Sequence, residues 1–162
     1  MKIGLITYNC AHLKTEQLVH RYMQNEKIKV INLYALPFRP RKKRKILFQH
    51  RPDMSQSVPT ESLSELSKVN FQKWDGSENI SECNDVFVIG GAGILDIAFA
   101  NGKPIVNAHP GIIPMTRGLD SFKWAIHDLL PIGNTIHFIN EEADAGEIIY
   151  IEKTPIFEDD SL

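Results

Sequence analysis

Residues 85–114 read DVFVIGGAGILDIAFANGKPIVNAHPGIIP, and they decide the fold. Two short apolar runs, DVFVIG from 85 and KPIVNAH over 103–109, each end in a turn rich in glycine or proline. Runs of this length, β-branched and bounded by turn formers, read as buried strands. Working outward, KIGLITY (2–8) and IKVINLY (28–34) read as two earlier strands. Between them, Leu18, Val19, Tyr22 and Met23 recur at helical spacing, which predicts an amphipathic helix over 14–25. TESLSEL (60–66) opens with a Thr placed as a helix N-cap. LDSFKWAIHDL (119–129) reads as a helix whose apolar face is Phe122, Trp124, Ala125, Ile126 and Leu129. NTIHFIN (134–140) and GEIIYIEKTPI (146–156) are two final strands with only the acidic turn EEADAG between them, so they pair antiparallel. Strands alternating with helices predict an α/β domain with a largely parallel sheet.

The 162 residues suit one domain over 1–162, with no internal repeat. An apolar fraction of 43% and a charged fraction of 23% are those of an ordinary globular protein. No apolar run is long enough to span a membrane, and MKIGLITYNC is too short for a signal peptide. Cys10 and Cys83 fit no metal spacing and no disulfide framework, which points to a reducing, cytoplasmic setting. Six of the 18 basic residues lie in RPRKKRK (39–45), so the rest of the chain sets twelve cations against 20 acids. That balance argues against a nucleic-acid partner. The run sits in a proline-broken stretch, 36–60, and reads as a solvated loop, a phosphate-binding patch or a localisation-like signal.

Ligands of open α/β sheets bind beyond the carboxyl ends of the strands. TYNC, GGAGIL, NAHPG, MTRG and NEEADAG are all expected there. A plain turn after the 103–109 strand needs Pro110 and Gly111 but not Asn107 and His109. The expectation is that the turn leaves both side chains facing the cleft. Asn107 offers an amide donor, His109 a group that exchanges a proton near neutral pH, and Asp144 a carboxylate able to orient it. Such a set suits acyl transfer: amide and imidazolium hold a tetrahedral oxyanion, and the imidazole protonates a leaving nitrogen. A hydrogen-bonded structural His and a turn Asp are the plain alternatives. GGAGIL lacks the Lys-Ser/Thr of a phosphate loop and the last Gly of a dinucleotide fingerprint. It reads instead as backbone that approaches a flat ligand, with Ile94 and Leu95 as apolar walls. A Cys10 nucleophile has no third group to support it, and His12, His20, His50, His127 and His137 form no metal spacing, so no metal is expected.

From Val86 to the end, four ordered parts resemble the folate-dependent formyltransferases: the glycine loop ending in Ile94-Leu95, Asn107-x-His109, Gly133-x-Thr135 and Asp144-x-Gly146. That family includes glycinamide ribonucleotide formyltransferase, methionyl-tRNA formyltransferase and nucleotide-sugar N-formyltransferases. The resemblance implies a Rossmann-like open sheet, mostly parallel with antiparallel C-terminal strands and helices on both faces. It implies 10-formyltetrahydrofolate as formyl donor and Asn107, His109 and Asp144 as catalytic residues. The pterin is expected between Gly90, Gly91, Ala92, Gly93, Ile94 and Leu95 on one side and Asn140, Glu141, Glu142 and Ala143 on the other. Thr135 is expected to brace the site from behind.

The first turn departs from the family. TYNCAHL lacks the Gly-Ser-Asn phosphate loop of the glycinamide ribonucleotide enzymes, so the expected acceptor is an amine on a nucleotide-linked sugar. Tyr8, Asn9 and Arg117 are the candidate acceptor contacts. Glycinamide ribonucleotide is the alternative acceptor, and a non-catalytic folate or nucleotide binder the alternative of another class. The closing EDDS has the form of an N-cap, so the domain reads as one short of a C-terminal helix or extension.

Overall fold

The structure is a computed structural model and describes residues 1–38 and 57–157. The basic run at 39–45, with His50 and Arg51, lies outside the described residues. The elements are β1 (Lys2–Tyr8), α1 (Leu13–Met23), β2 (Val30–Leu36), β3 (Val69–Lys73), β4 (Val86–Ile89), β5 (Ile105–His109), α2 (Ser121–His127), β6 (Gly133–Phe138) and β7 (Ile148–Lys153). They form one seven-stranded sheet in the order β3-β2-β1-β4-β5-β6-β7. The strands from β3 to β5 are parallel, whereas β6 runs antiparallel to both β5 and β7. The fold is therefore an open α/β sheet, mostly parallel, with antiparallel C-terminal strands.

The parallel strands carry near-continuous apolar runs because both of their faces are covered. On one face, Ile3, Leu5, Ile31 and Leu33 pack against Val19 of α1 and Leu63 of a 3-10 helix, Thr60–Glu65. On the other, Ile6, Phe87, Ile89 and Ile105 pack against Trp74, Ile80, Phe99 and Ala100. That second face is closed by two short 3-10 turns, Ser81–Cys83 and Ile97–Ala100, where α-helices were expected. Phe87 meets Phe99 and Phe99 meets Trp74 edge to face, filling the layer with rings.

Local pattern misreads three segments. β3 was not anticipated, because VNFQK at the sheet edge is short and mostly polar. Thr60 is not an N-cap: it lies inside the 3-10 helix, and its hydroxyl donates to the Cys10 carbonyl, tying this segment to the turn after β1. In α2 the small residues Ser121 and Ala125 face inward, while Trp124 is 57% exposed, and Leu129, expected on the apolar face, lies beyond the helix and is 93% exposed. Seven residues present one narrow inward stripe, and here Ser121 and Ala125 occupy it.

Candidate active site

The site is built on two paired strands. Side chains two apart on a strand share a face, so Ile105, Asn107 and His109 project from β5 onto the face that carries Phe87 and Ile89. Antiparallel pairing sets Thr135 opposite His109 and His137 opposite Asn107. Four polar side chains thereby form one patch. His109, Thr135 and His137 are all less than 4% exposed, and groups so deeply buried need partners.

They have them. Thr135 donates from Oγ1 to the Gly111 carbonyl at 2.7 Å and accepts the Ile113 N–H at 3.1 Å. Thr116 accepts the Ile112 N–H at 3.1 Å, and the Ser121 hydroxyl donates to the Pro110 carbonyl at 2.7 Å. These bonds pin the 110–116 turn over the patch. Gly111 is required within it: a Cβ there would stand 2.6 Å from Thr116 Oγ1 and 2.9 Å from His109 Nε2. The His-Pro-Gly sequence thus turns the chain across His109 instead of away from it. His109 faces inward beneath this turn and is only 3% exposed.

His109 Nε2 lies 3.1 Å from the Thr116 carbonyl, so Nε2 carries the proton. Nδ1 then faces Asp144 Oδ1 at 3.5 Å. A second proton, on Nδ1, makes that contact an imidazolium–carboxylate pair. His137 is set the other way round. Its Nδ1–H donates to its neighbour's carbonyl, Phe138 O, at 2.9 Å, so Nε2 accepts from Asn107 Nδ2 at 3.3 Å. With one amide N–H held by His137, the second N–H of Asn107 is the donor a ligand oxygen can use.

Asp144 reaches the patch by a detour. Because β6 is antiparallel to β5, its carboxyl end lies at the opposite sheet edge from His109, not at the ligand edge where the acidic turn was expected. The 139–147 loop folds back across the sheet face. Gly146 allows this, since any side chain there would run into the Phe138 carbonyl. Asp144 takes a left-handed conformation, φ 50°, which Asp tolerates better than most residues. Its Oδ2 accepts the Gly118 N–H at 2.9 Å, and its Oδ1 lies 3.7 Å from His137 Nε2. Asp144 therefore touches both histidines and is anchored by the turn that carries Arg117, whose own side chain is exposed.

The glycine loop divides. Gly90 and Gly91 donate their N–H groups to the Ile6 carbonyl and pack on β1 and its following turn, with Thr15 against Gly90, and Tyr8 and His12 against Gly91. Their lack of side chains allows this packing. Ala92 and Leu95 lean on the core, Gly93 has open space above it, and Ile94 is fully exposed. A cavity of about 700 Å³ opens farther on, with Ile97, Ala100 and Ile105 facing the segment from Phe138 to Glu142. Its wall opposite the acidic loop is the 3-10 turn Ile97–Ala100, not the glycines. Ile105 is the start of the row that leads to Asn107 and His109. Of the loop residues, Asn140, Glu141, Glu142 and Ala143 are exposed, and Asn140 Oδ1 accepts the Glu142 N–H at 3.1 Å. Asn9 is exposed, its N–H donating to the Leu36 carbonyl at 2.7 Å, and Tyr8 is half-buried.

His137 is the residue that sequence reasoning missed as part of the site. Its signal was its spacing, two residues after Thr135 on one strand, but its partner Asn107 emerges only once β6 is paired with β5. Among the described residues, no group of three or more His, Cys, Asp or Glu could hold a metal ion. Nor is any described helix long and apolar enough to cross a membrane.

Comparison with known proteins meets the same residues. The family model described as formyl transferase matches residues 94–162. A phosphoribosylglycinamide formyltransferase of Haemophilus influenzae is 42% identical over 59 residues, 36% of this chain and 28% of that protein. A methionyl-tRNA formyltransferase of Sulfurimonas denitrificans is 23% identical over 147 residues, 88% of this chain and 48% of that one. The chain thus spans half or less of the length of these curated relatives. Among solved structures, a phosphoribosylglycinamide formyltransferase from Anaplasma phagocytophilum superposes with a TM-score of 0.70 at 16% identity, covering 99% of this chain and 74% of that one. A sugar N-formyltransferase from a Shewanella species superposes at 0.65 with 18% identity, covering 97% and 58%. These two structures share its fold. Over residues 94–162, this chain is similar to the formyl transferase family.

Proposed function

We propose that this chain is the catalytic part of an N-formyltransferase that moves a formyl group from 10-formyltetrahydrofolate to a primary amine. The observation that carries the reading is the contact of His109 Nδ1 with Asp144 beside the oriented amide of Asn107. The folate supplies a formyl carbon attached to a nitrogen leaving group. The cavity fits its flat pterin: it falls in the size range of small-molecule sites, with apolar Ile97, Ala100 and Ile105 on one wall and the polar backbone of 140–142 on the other. As the amine nitrogen attacks the formyl carbon, the carbonyl electrons move to oxygen, and the Asn107 N–H and the His109 imidazolium stabilise that oxyanion. His109 exchanges its bond to the Thr116 carbonyl for the substrate, and Asp144 stabilises the imidazolium. The His109 imidazolium gives a proton to the departing nitrogen as the bond from that nitrogen to the formyl carbon breaks, and the neutral imidazole then takes up the proton lost by the attacking amine. The absence of any disulfide at Cys10 and Cys83 is consistent with action in the cytoplasm.

The acceptor we favour is an amine on a nucleotide-linked sugar, supported by the first turn, which has no glycine at residues 8–12 to wrap a terminal phosphate. Glycinamide ribonucleotide is the second reading, favoured by the 42% identity to the Haemophilus influenzae enzyme. The test is to supply 10-formyltetrahydrofolate with a panel of amines and follow release of tetrahydrofolate. Nucleotide-linked amino sugars should give the highest kcat/KM. A higher value for glycinamide ribonucleotide would transfer the assignment to the second reading, and no turnover with any amine would remove the catalytic one.

A further inference from the structure

At the far end of the carboxyl edge from His109 stand two rings that the formyl-transfer chemistry does not use. Ile6 pairs with Ile89, and Ile89 with Asn107. Two residues farther along each strand direction are Tyr8, Gly91 and His109, one row on one sheet face. Tyr8 in turn pairs with Leu36, so Phe38 extends the row past β2. The Tyr8 and Phe38 rings meet edge to face at 5.4 Å, and Phe38, a large apolar side chain, is 50% exposed. Between Phe38 and His109 the Tyr8 and His12 rings lie directly on Gly91, where a Cβ would strike both at 2.8 Å.

His12 fixes the shelf in place. Its ring meets Tyr8 edge to face at 5.7 Å. Its Nδ1 lies 2.8 Å from Thr15 Oγ1, which is 2.6 Å from Thr7 Oγ1, and both threonines are fully buried. Burial, reinforced by the Lys14 charge, lowers the His12 pKa, so its ring is neutral at neutral pH. The shelf presents aromatic rings, a surface suited to a planar ring.

We infer that Tyr8 and Phe38 hold the base of a nucleotide-linked acceptor whose amine end reaches along the same sheet edge to His109. The inference rests on the formyltransferase reading and names the part of the acceptor recognised farthest from the chemistry. Three strand spacings separate β2 from β5, about 14 Å. A base joined through a diphosphate to an amino sugar spans such a gap, whereas ribose phosphate without a base has nothing to place on the rings.

The experiment is calorimetric titration of the full chain with UDP, dTDP and ribose 5-phosphate, and separately with tetrahydrofolate. At least one nucleoside diphosphate should bind more tightly than ribose 5-phosphate. Loss of a base–aromatic stack weakens binding roughly 5- to 150-fold, and Tyr8→Ala and Phe38→Ala should each raise that Kd within this range. Tyr8→Phe, which keeps the ring, should bind as the parent does, and tetrahydrofolate binding should be unchanged throughout. Phe38 is half exposed, so Phe38→Ala tests the inference even if Tyr8→Ala fails to fold. Nucleoside diphosphate binding that is absent, matched by ribose 5-phosphate, or indifferent to Phe38→Ala would overturn the inference while leaving formyl transfer standing. Failure of the parent chain to bind tetrahydrofolate would instead strike the formyltransferase reading, and the ring titrations would still decide the base.

Discussion

His109 and His12 stand at the same sheet edge, two strands apart, in surroundings of opposite sign. His109 follows β5 and meets the carboxylate of Asp144 at 3.5 Å. His12 follows β1 and meets the hydroxyl of Thr15, with Lys14 as its charged neighbour. Each ring has one nitrogen fixed by a hydrogen bond. What differs is the second partner. A loop carrying an acid folds across His109 and sets the Asp144 carboxylate against its Nδ1, whereas burial and a cation near His12 oppose protonation there. The residue type alone is therefore no guide to which histidine moves protons.

The largest expected effect sharpens this comparison directly. His109→Ala should lower kcat/KM for formyl transfer by about 10²- to 10⁴-fold, the usual scale for a general acid–base group. His12→Ala should leave kcat within a few-fold of the parent. Equal losses of kcat in the two variants would erase the distinction between the two histidines.

A smaller effect tests the scaffold under His109. Thr135→Val keeps the shape but leaves the buried Ile113 N–H without its acceptor, at a cost of about 1–3 kcal/mol. Denaturant unfolding should record that loss, and an unchanged midpoint would mean the 110–116 turn does not depend on Thr135.

The smallest effect is a pH slope. The folded pKa of His12 lies below its ordinary value of about 6.5, so below that pH the unfolded chain takes up a proton that the folded chain resists. His12 thus costs stability as pH falls from about 6.5 through its lowered folded pKa, and costs none above that window. His12→Gln should make the acid side of the stability profile flatter by this increment. A profile that steepens in the variant would reverse the sign assigned to the His12 site.

A second contrast explains what could be read in advance. KIGLITY and IIYIEK are both apolar runs read as strands, yet in β1 Leu5 and Ile6 are fully buried while Ile149 and Tyr150 of β7 are 48% and 55% exposed. β1 lies in the middle of the sheet under helices, and β7 is its edge, with nothing in the described residues over it. Hydrophobicity marks both as strands, but only position in the sheet decides how much of each is covered.

The sequence by itself determined what is local. Alternation of strands and helices, Pro110-Gly111 as a turn, and Asn107, His109 and Asp144 as candidates beside turns all follow from spacing and residue type. Tertiary structure alone decided what depends on pairing between distant segments. The antiparallel course of β6 brought His137 to Asn107 and sent the acidic loop out at the far edge, so that Asp144 returns over the sheet face. Packing assigned Gly90 and Gly91 to the turn after β1, moved the cavity wall to Ile97 and Ala100, and turned His109 inward beneath Thr116. The physical reason is the same in each case. A periodic pattern reports which face of an element is apolar, but a hydrogen bond between residues thirty apart exists only after two strands have found their direction and register.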